Sequence, residues 1–380
     1  MKTLYTVLVI LLFLLISSLR FSSLSLVILI GMLGLQLVVT NKGKFRFPNY
    51  LLLPILGYVF FLVLGIINEH DNPTIDIKFQ FFAILFYLFL VNMKNLDLLK
   101  VLFLLNIAVL VVYIIIYIGV LPNSIWHSST VGYKGRVYGP SIIPIVLIAF
   151  YYLYKGRSID LKLAISFLVA MPYLILTTNL MNMVIAVVLL FLILVDIKKL
   201  FSAKSILIIA TLCISSFLFL QSDYAPELIK EKLPYVLKPM EYQSLQIRID
   251  DLNKALISEN FGIGKMIFGD GFGANTTIYR ENMKASSWSG LYTFQEIDNG
   301  FYYLYHRGGF LLLFLFLALH FYFLYKIKRV KAKAGFLCLV LFTCLLSIHY
   351  FNNMFYVIIP FLIMGEEKEG EGKKEGLVIK

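Results

Sequence analysis

Long apolar runs dominate this chain and most constrain what it can fold into. The runs at 4–19, 21–40, 50–67 and 101–121 are close to the ~17–25 residues needed to cross about 30 Å of hydrocarbon. Hydrophobic residues make up 60% of the 380 residues and charged residues 15%, which excludes an ordinary soluble domain. Because unpaired backbone amides are costly in lipid and the runs lack the alternation of barrel strands, we expect membrane-spanning α-helices.

The apolar pattern predicts an all-α, polytopic membrane protein with about 12 transmembrane helices and one large extracytoplasmic loop that contains short helices. Residues 1–221 hold the first nine helices and an outward loop at 122–137, residues 222–300 form the large loop, residues 301–364 hold three more helices, and 365–380 is a disordered tail. The predicted helices lie at 4–19, 21–40, 50–67, 75–93, 101–121, 138–154, 162–178, 180–195, 204–221, 301–325, 334–349 and 350–364.

The distribution of basic residues predicts the orientation of these helices. Alternate loops carry clusters of Lys and Arg, at 42–46, 94–100, 155–162, 198–204 and 326–333. The short loops on the other side carry Arg20, Lys134 and Arg136. By the positive-inside rule, both termini are cytoplasmic and the large loop lies outside. The net charge of +12 is explained by this bias and by anionic lipid, so we expect no nucleic-acid partner.

The outward loop before the sixth helix combines aromatic and basic side chains. Lys134, Arg136 and Tyr138 suit a surface for sugar or phosphate, because rings stack on sugar faces and a guanidinium binds phosphate with two hydrogen bonds. An interfacial aromatic belt is the alternative for Tyr138 and for Trp126. Arg136 opposes the orientation signal, which favours a functional role for it.

The large loop carries an amphipathic segment and a glycine-rich segment. Apolar residues recur with helical period over 244–260, where Arg248 and Asp251 are spaced to form a surface ion pair. Glycines at 262, 264, 269, 271 and 273 permit positive φ and the close approach of a ligand, although ordinary turns use glycine as well. The phosphate-loop pattern GxxxxGK[ST] is absent, and the chain has no cluster with metal-ligand spacing, so we expect neither cofactor nor metal.

The end of the loop places polar residues at the start of the next helix. Asp298 is positioned to be the N-cap of that helix, between Glu296 and Asn299. His306 and Arg307 follow two to three turns deeper. They either line a ligand cavity or extend to the membrane surface.

Taken together, these loops resemble those of the O-antigen polymerase and O-antigen ligase families, bacterial membrane enzymes that act on polyprenyl-linked glycans. The resemblance rests on RVYGP at 136–140, QIRIDDLNKALISENFGIGKMIFGDGFG at 246–273 and EIDNGFYYLYHRGGFL at 296–311. Ligases typically carry His-Asn where this chain has Asp298-Asn299, which favours the polymerase branch.

The resemblance implies a metal-independent glycosyltransferase that elongates capsule or O-antigen. The donor is a glycan on undecaprenyl pyrophosphate, the acceptor is the next lipid-linked repeat unit, and a chain-length regulator and a flippase are implied partners. Asp298 is then the first choice for the general base, and Arg136 and Arg248 balance the charge of the diphosphate. The substrate-binding residues expected beside them are His306, Arg307, Glu296, Asn299, Tyr138 and Lys134.

Two alternatives stay open. A ligase would transfer the glycan once, to a different acceptor. A flippase or another polysaccharide transporter would share the number of helices, and it would need polar groups near the middle of several spans.

Overall fold

The computed structural model describes most of the chain. The described residues are 2–16, 22–40, 45–93, 97–126, 137–177, 180–195, 238–241, 243–258, 262–280, 290–294, 297–345, 355–365 and 377–379, with isolated residues within 207–230. The predicted helix at 204–221 therefore lies largely outside the described residues.

The described residues are mostly helical, as expected for an all-α chain. Numbered α1 to α13 in chain order, the helices are Lys2–Ile16, Ser22–Leu35, Leu52–Ile67, Thr74–Asn92, Leu98–Tyr117, Ile143–Lys155, Leu161–Thr177, Leu180–Leu194, Gln243–Ser258, Ile263–Phe268, Gly300–Lys326, Val330–Leu345 and Phe355–Gly365. A described helix coincides with each of the other predicted spans, with ends that differ by a few residues. The sixth begins late, at Ile143, after the Gly139-Pro140 pair.

Helix positions alone do not establish a twelve-span membrane topology. Among the described residues, two helices are long and apolar enough to cross a bilayer, α5 and α11, by length and composition only. Several other apolar helices are 10–17 residues long. Helix α11 is also interrupted, since Gly309 within it has φ 58° and ψ −159°.

In the part of the chain that the structure describes, four short strands accompany the helices. Strands β1 (Phe45–Phe47) and β4 (Leu377–Ile379) pair antiparallel, with Arg46 opposite Val378. Strand β4 lies within the tail predicted to be disordered at 365–380, of which residues 366–376 lie outside the described part. Strands β2 (Thr276–Arg280) and β3 (Gly290–Phe294) form an antiparallel hairpin in the large loop, which was not predicted from the sequence.

One compact unit comprises Met1–Met32, Met93–Lys238 and Ile327–Leu339. Its centre is α6, on which residues from Ile143 to Phe150 are almost completely buried, as expected for a helix that is apolar all round. Asn106 on α5 donates to the carbonyl of Ser166 on α7 at 2.8 Å and accepts from the Tyr173 hydroxyl. This buried amide is thus satisfied by α7.

Gly139 has a packing role in the same unit. A Cβ on this residue would lie 2.8 Å from the Tyr113 ring, and the Tyr113 hydroxyl donates to the carbonyl of Pro140 at 2.9 Å. The Gly-Pro pair of the predicted RVYGP motif therefore fits against α5, which gives it a structural reason to be there.

The second unit comprises Leu33–Asn92, Pro239–Lys326 and Val340–Lys380. It contains α3, α4, α11 and α13, together with α9, α10 and the β2–β3 hairpin of the large loop. Helix α13 packs on α4 and α11, and α10 packs on α11. Most of the predicted site residues that the structure describes lie in this unit.

Candidate functional site

A small apolar core joins the large loop to the start of α11. Its buried members are Ala255 on α9, Ile278 on β2, Ile297 just before α11 and Tyr302 on α11, with Leu252 and Phe294 packed against them. The amphipathic helix predicted at 244–260 is confirmed as α9, and Leu252 and Ala255 of its predicted apolar face lie in or against this core. Because β2 alternates buried and exposed residues, Thr276 and Ile278 face inward and Thr277 and Tyr279 outward.

The predicted ion pair between Arg248 and Asp251 is replaced by two other pairs. The Asp251 carboxylate binds the Arg280 guanidinium through Nε at 2.9 Å and through Nη2. Arg280 also lies over the Phe294 ring, 4.4 Å from its centroid. The hydrogen bond to Asp251 raises the pKa of Arg280. This pair therefore ties α9 to the hairpin.

Arg248 pairs instead with Asp298, the carboxylate predicted to be the general base. Their side chains meet at 3.1 Å, from Nε to Oδ2, and are 36% and 49% exposed. An ion pair this exposed contributes about 0–1 kcal/mol of stability. The pair therefore contributes little to the stability of the fold, and both of its charged groups are accessible to a solute.

Asn299, and not Asp298, is the N-cap of α11, which leaves the Asp298 side chain to pair with Arg248. The Asn299 side chain accepts from the Tyr302 amide at 2.8 Å and donates to the Leu345 carbonyl at 3.0 Å. The prediction that Asp298 is the N-cap is wrong by one residue. Both residue types are good caps, so sequence alone does not separate them.

The glycine turn, residues 269–273, is wedged between helices. Gly269, Gly271 and Gly273 have φ of +71°, +87° and +83°. A Cβ on Gly271 would lie 2.3 Å from the Gly65 amide nitrogen of α3, and one on Gly269 would lie 2.5 Å from the Gly308 amide nitrogen of α11. The glycines thus permit backbone-to-backbone packing, and the suggestion that they admit a ligand is unsupported at these three positions.

The same turn completes the hydrogen bonding of the interrupted helix. At the break, the carbonyls of His306 and Arg307 accept from the amides of Asp270 and Gly271 at 2.9 and 3.0 Å. The Phe272 amide donates to the Phe61 carbonyl of α3 at 3.0 Å. The turn therefore supplies donors for two carbonyls that the break in α11 leaves without helical partners.

Arg307 is the centre of a buried ionic network. Its Nε lies 2.7 Å from Asp76 Oδ2 on α4, and each side chain is 2% exposed. Asp76 also accepts from the Tyr303 hydroxyl at 2.9 Å and the Gly273 amide at 2.7 Å. The side chain of Arg307 is therefore engaged by protein, and of the two alternatives for this residue the one in which it extends to the membrane surface is excluded.

His306 continues this network toward Asp270. Its Nδ1 lies 2.7 Å from Nη1 of Arg307. Because a guanidinium nitrogen only donates, Nδ1 accepts, and the proton of the neutral ring is on Nε2. Nε2 lies 3.6 Å from Oδ2 of Asp270, whose other oxygen binds Lys265 at 2.7 Å. His306 is 4% exposed.

Two residues that hold Asp270 in place were not predicted from the sequence. The Asp270 carbonyl accepts from the Asn68 side chain at 2.8 Å, and Nε2 of His70 lies 2.8 Å from the same oxygen. Both residues follow α3, about 200 positions earlier in the chain. The sequence shows that Asn68 and His70 are polar residues directly after an apolar run, but it does not indicate that Asp270 is their hydrogen-bond partner.

The structure brings some predicted site residues together and leaves others undecided. Asp298, Asn299, Arg248, His306 and Arg307 all belong to the second unit. Tyr138 is half-buried in the first unit. Arg136, Lys134 and Glu296 lie outside the described residues, so their roles stay predictions.

The described residues contain no group of three or more His, Cys, Asp or Glu side chains that could hold a metal ion. No protein-family model matches the chain, and no curated protein matches it. The resemblance to the O-antigen polymerase and ligase families therefore stays a prediction from the motifs.

Proposed function

We propose that this chain is an integral membrane glycosyltransferase of the bacterial plasma membrane that polymerises a surface polysaccharide. It transfers a growing glycan from undecaprenyl pyrophosphate to the next lipid-linked repeat unit. The large loop that carries Arg248 and Asp298 lies on the extracytoplasmic side. The apolar helices, the basic loops and the motif resemblance support this placement.

One observation carries the proposal: Arg248 and Asp298 meet at 3.1 Å while both remain open to solvent. Glycosyl transfer from a diphosphate donor needs a base for the acceptor hydroxyl and positive charge for the leaving group. Helix α9 supplies the cation, and the residue before the α11 cap supplies the carboxylate. The buried pair of Asp76 and Arg307 ties α11 to α4. It thereby fixes the start of α11 and the position of Asp298, which lies just before that helix.

The resting ion pair suggests how binding prepares the reaction. Diphosphate oxygens compete with Asp298 for the Arg248 guanidinium, since a guanidinium binds phosphate with two charge-assisted hydrogen bonds. The freed Asp298 carboxylate then takes the proton of the acceptor hydroxyl, whose oxygen attacks C1 of the donor sugar. The C1–O bond to the diphosphate breaks, and its electron pair leaves with undecaprenyl pyrophosphate, whose charge Arg248 balances.

A transporter is the second candidate, and one observation favours it. Helix α11 is interrupted at Gly309, beside the buried charges of Arg307 and Asp76, and interrupted helices with buried charges are typical of many carriers. However, the turn at 269–273 satisfies the freed carbonyls, and Arg307 and Asp76 satisfy each other. These groups are committed to protein contacts, so we place the transporter second.

Product analysis separates the candidates. Purified protein in lipid vesicles is given lipid-linked repeat units, with no nucleotide added and with or without EDTA, and the glycans are sized. We expect a ladder of polymers that EDTA does not abolish. A single transfer to a different acceptor would indicate a ligase, and unchanged glycan that crosses the bilayer would indicate a transporter. Loss of the ladder in EDTA would refute metal independence.

A further inference from the structure

Helix α10 exposes an unusually apolar surface for a six-residue helix in a polar loop. Ile263 is 78% exposed, and Met266, Ile267 and Phe268 are each more than a third exposed. Leaving large apolar side chains in water forgoes the free energy of their burial, about 1.5–3 kcal/mol for each one fully buried. Contiguous exposed apolar patches typically mark a binding surface for protein or membrane.

This surface is continuous with the apolar faces of two long helices of the same unit. The Phe268 ring packs edge-on against Phe60 of α3, with centroids 5.9 Å apart, and Phe60 is itself 45% exposed. Further along α3, Leu56 is 66% exposed. On α11, Phe310 and Phe314 are exposed directly after the break against which α10 packs. The patch is therefore an extension of the faces that would meet lipid.

The position of the break sets the depth of α10. Residues 310–326 of α11 span about 25 Å at ~1.5 Å per residue, close to the thickness of the hydrocarbon. They end at Lys326, beside the basic loop predicted to be cytoplasmic. Gly309 then lies near the outer edge of the hydrocarbon, and the backbone of Ile267 and Phe268 contacts it.

The charge on α10 also fits a lipid environment. Lys265 is the charged residue of this helix, and its Nζ lies 2.7 Å from Asp270 Oδ1. Pairing offsets much of the cost of placing a cation beside hydrocarbon. The Lys265 side chain is itself 57% exposed, but its ammonium group is paired with Asp270 of the glycine turn, beside the exposed Ile263, Met266 and Ile267.

We propose that α10 inserts into the outer leaflet of the bilayer, with Ile263, Met266, Ile267 and Phe268 among the acyl chains. The helix acts as an interfacial anchor that holds the glycine turn, and through it Asp270 and the start of α11, at a fixed depth. This inference rests on the proposed membrane placement of α3 and α11, and it does not depend on the reaction catalysed.

Spin labels at matched positions test the anchor in the full-length protein. With Cys213, Cys338 and Cys344 replaced by alanine, single cysteines are introduced as Ile263→Cys, Leu291→Cys and Leu56→Cys. Leu291 on β3 is 75% exposed and serves as the matched control for Ile263. The labelled proteins are reconstituted into phosphatidylcholine–phosphatidylglycerol vesicles, and the label's collision rates with oxygen and with a water-soluble nickel chelate are measured.

We expect oxygen collisions to exceed nickel collisions at Ile263 and Leu56, and the ratio to reverse at Leu291. A label at Ile263 that behaves like the one at Leu291 would overturn the anchor while leaving the membrane placement intact. A water-exposed label at Leu56 would overturn both. Met266→Cys provides a second position on α10 if the Ile263 variant does not fold, and the same outcomes apply to it.

Discussion

The buried pair of Asp76 and Arg307 makes the strongest prediction about stability. Each side chain is 2% exposed, and the charged atoms are 2.7 Å apart. Replacing Arg307 by methionine keeps the apolar stem and leaves the Asp76 carboxylate buried without a counter-charge. Removing one partner of a buried pair costs about 3–5 kcal/mol. We therefore expect Arg307→Met to destabilise the protein by about that amount.

Arg248→Met is the matched control, because it makes the same substitution in an exposed pair. A pair exposed by 36% and 49% should cost about 0–1 kcal/mol to break. The difference of about 3 kcal/mol corresponds to more than a hundredfold change in the ratio of folded to unfolded protein. Unfolding of detergent-solubilised protein by SDS, followed by far-UV circular dichroism, measures both values.

The double variant Asp76→Asn, Arg307→Met completes the cycle. The single oxygen of asparagine can accept from the Gly273 amide while its NH2 group donates to the Tyr303 hydroxyl oxygen, and no lone charge remains. We expect the double variant to be less destabilised than the sum of the two single variants. Additive losses, or an Arg307→Met loss no larger than that of Arg248→Met, would refute the buried network as the structure presents it.

The remaining predictions concern backbone, caps and charge. Gly271→Ala should destabilise the protein by about 2–5 kcal/mol in the same SDS assay, because φ at this residue is +87° and the added Cβ would collide with α3. Gly264→Ala in α10 is the control: its added Cβ would have nothing within 4 Å, so this variant should be neutral or more stable by up to about 1 kcal/mol. Equal effects would contradict the wedge. Asn299→Ala should cost about 0.5–2 kcal/mol as loss of a cap, and Asp298→Ala should cost less; the reverse order would return the cap to Asp298. The Tyr152 hydroxyl, 2.6 Å away, lowers the pKa of Asp160. The ionised Asp160 carboxylate therefore stabilises the folded state above the ordinary aspartate pKa of 3.8, and this contribution is lost as the pH falls below that value. Asp160→Asn should weaken the dependence of the melting temperature on acid pH. An unchanged dependence would contradict this. Arg136→Ala should abolish polymer formation while the protein still reaches the membrane, and polymer of normal length would remove Arg136 from the diphosphate site.

Helix positions could be predicted from the sequence because each depends on a local apolar run. Helix α9 was likewise predictable, since Leu252 and Ala255 recur with helical period. The β2–β3 hairpin was missed because Thr276–Arg280 alternates in burial but has no clear apolar–polar alternation in its sequence, TTIYR. The sequence predictions of Arg248 and Asp298 as site residues came from the motif resemblance, and their mutual contact was not predicted.

What the sequence could not reveal is pairing over long separations. Asp76 and Arg307 are 231 positions apart, and nothing local to either residue indicates the other. The close backbone packing at Gly65, Gly271 and Gly308 likewise involves three segments that are distant in sequence, so no one of these glycines indicates it. The glycine turn therefore suggested a ligand site in sequence, whereas the structure uses it to join α3, α4 and α11.

Turnover of variants at the exposed pair tests the central claim most directly. In vesicles with lipid-linked repeat units, the rate of polymer formation is measured for the wild type, Asp298→Asn and Asp250→Asn. Asp250 is the matched control, because it forms an exposed pair with Lys254 at 2.8 Å on the same helix as Arg248. Loss of a general base should lower the rate by about 10²–10⁴-fold in Asp298→Asn and leave Asp250→Asn unchanged. A near wild-type rate for Asp298→Asn in correctly folded protein would contradict the account.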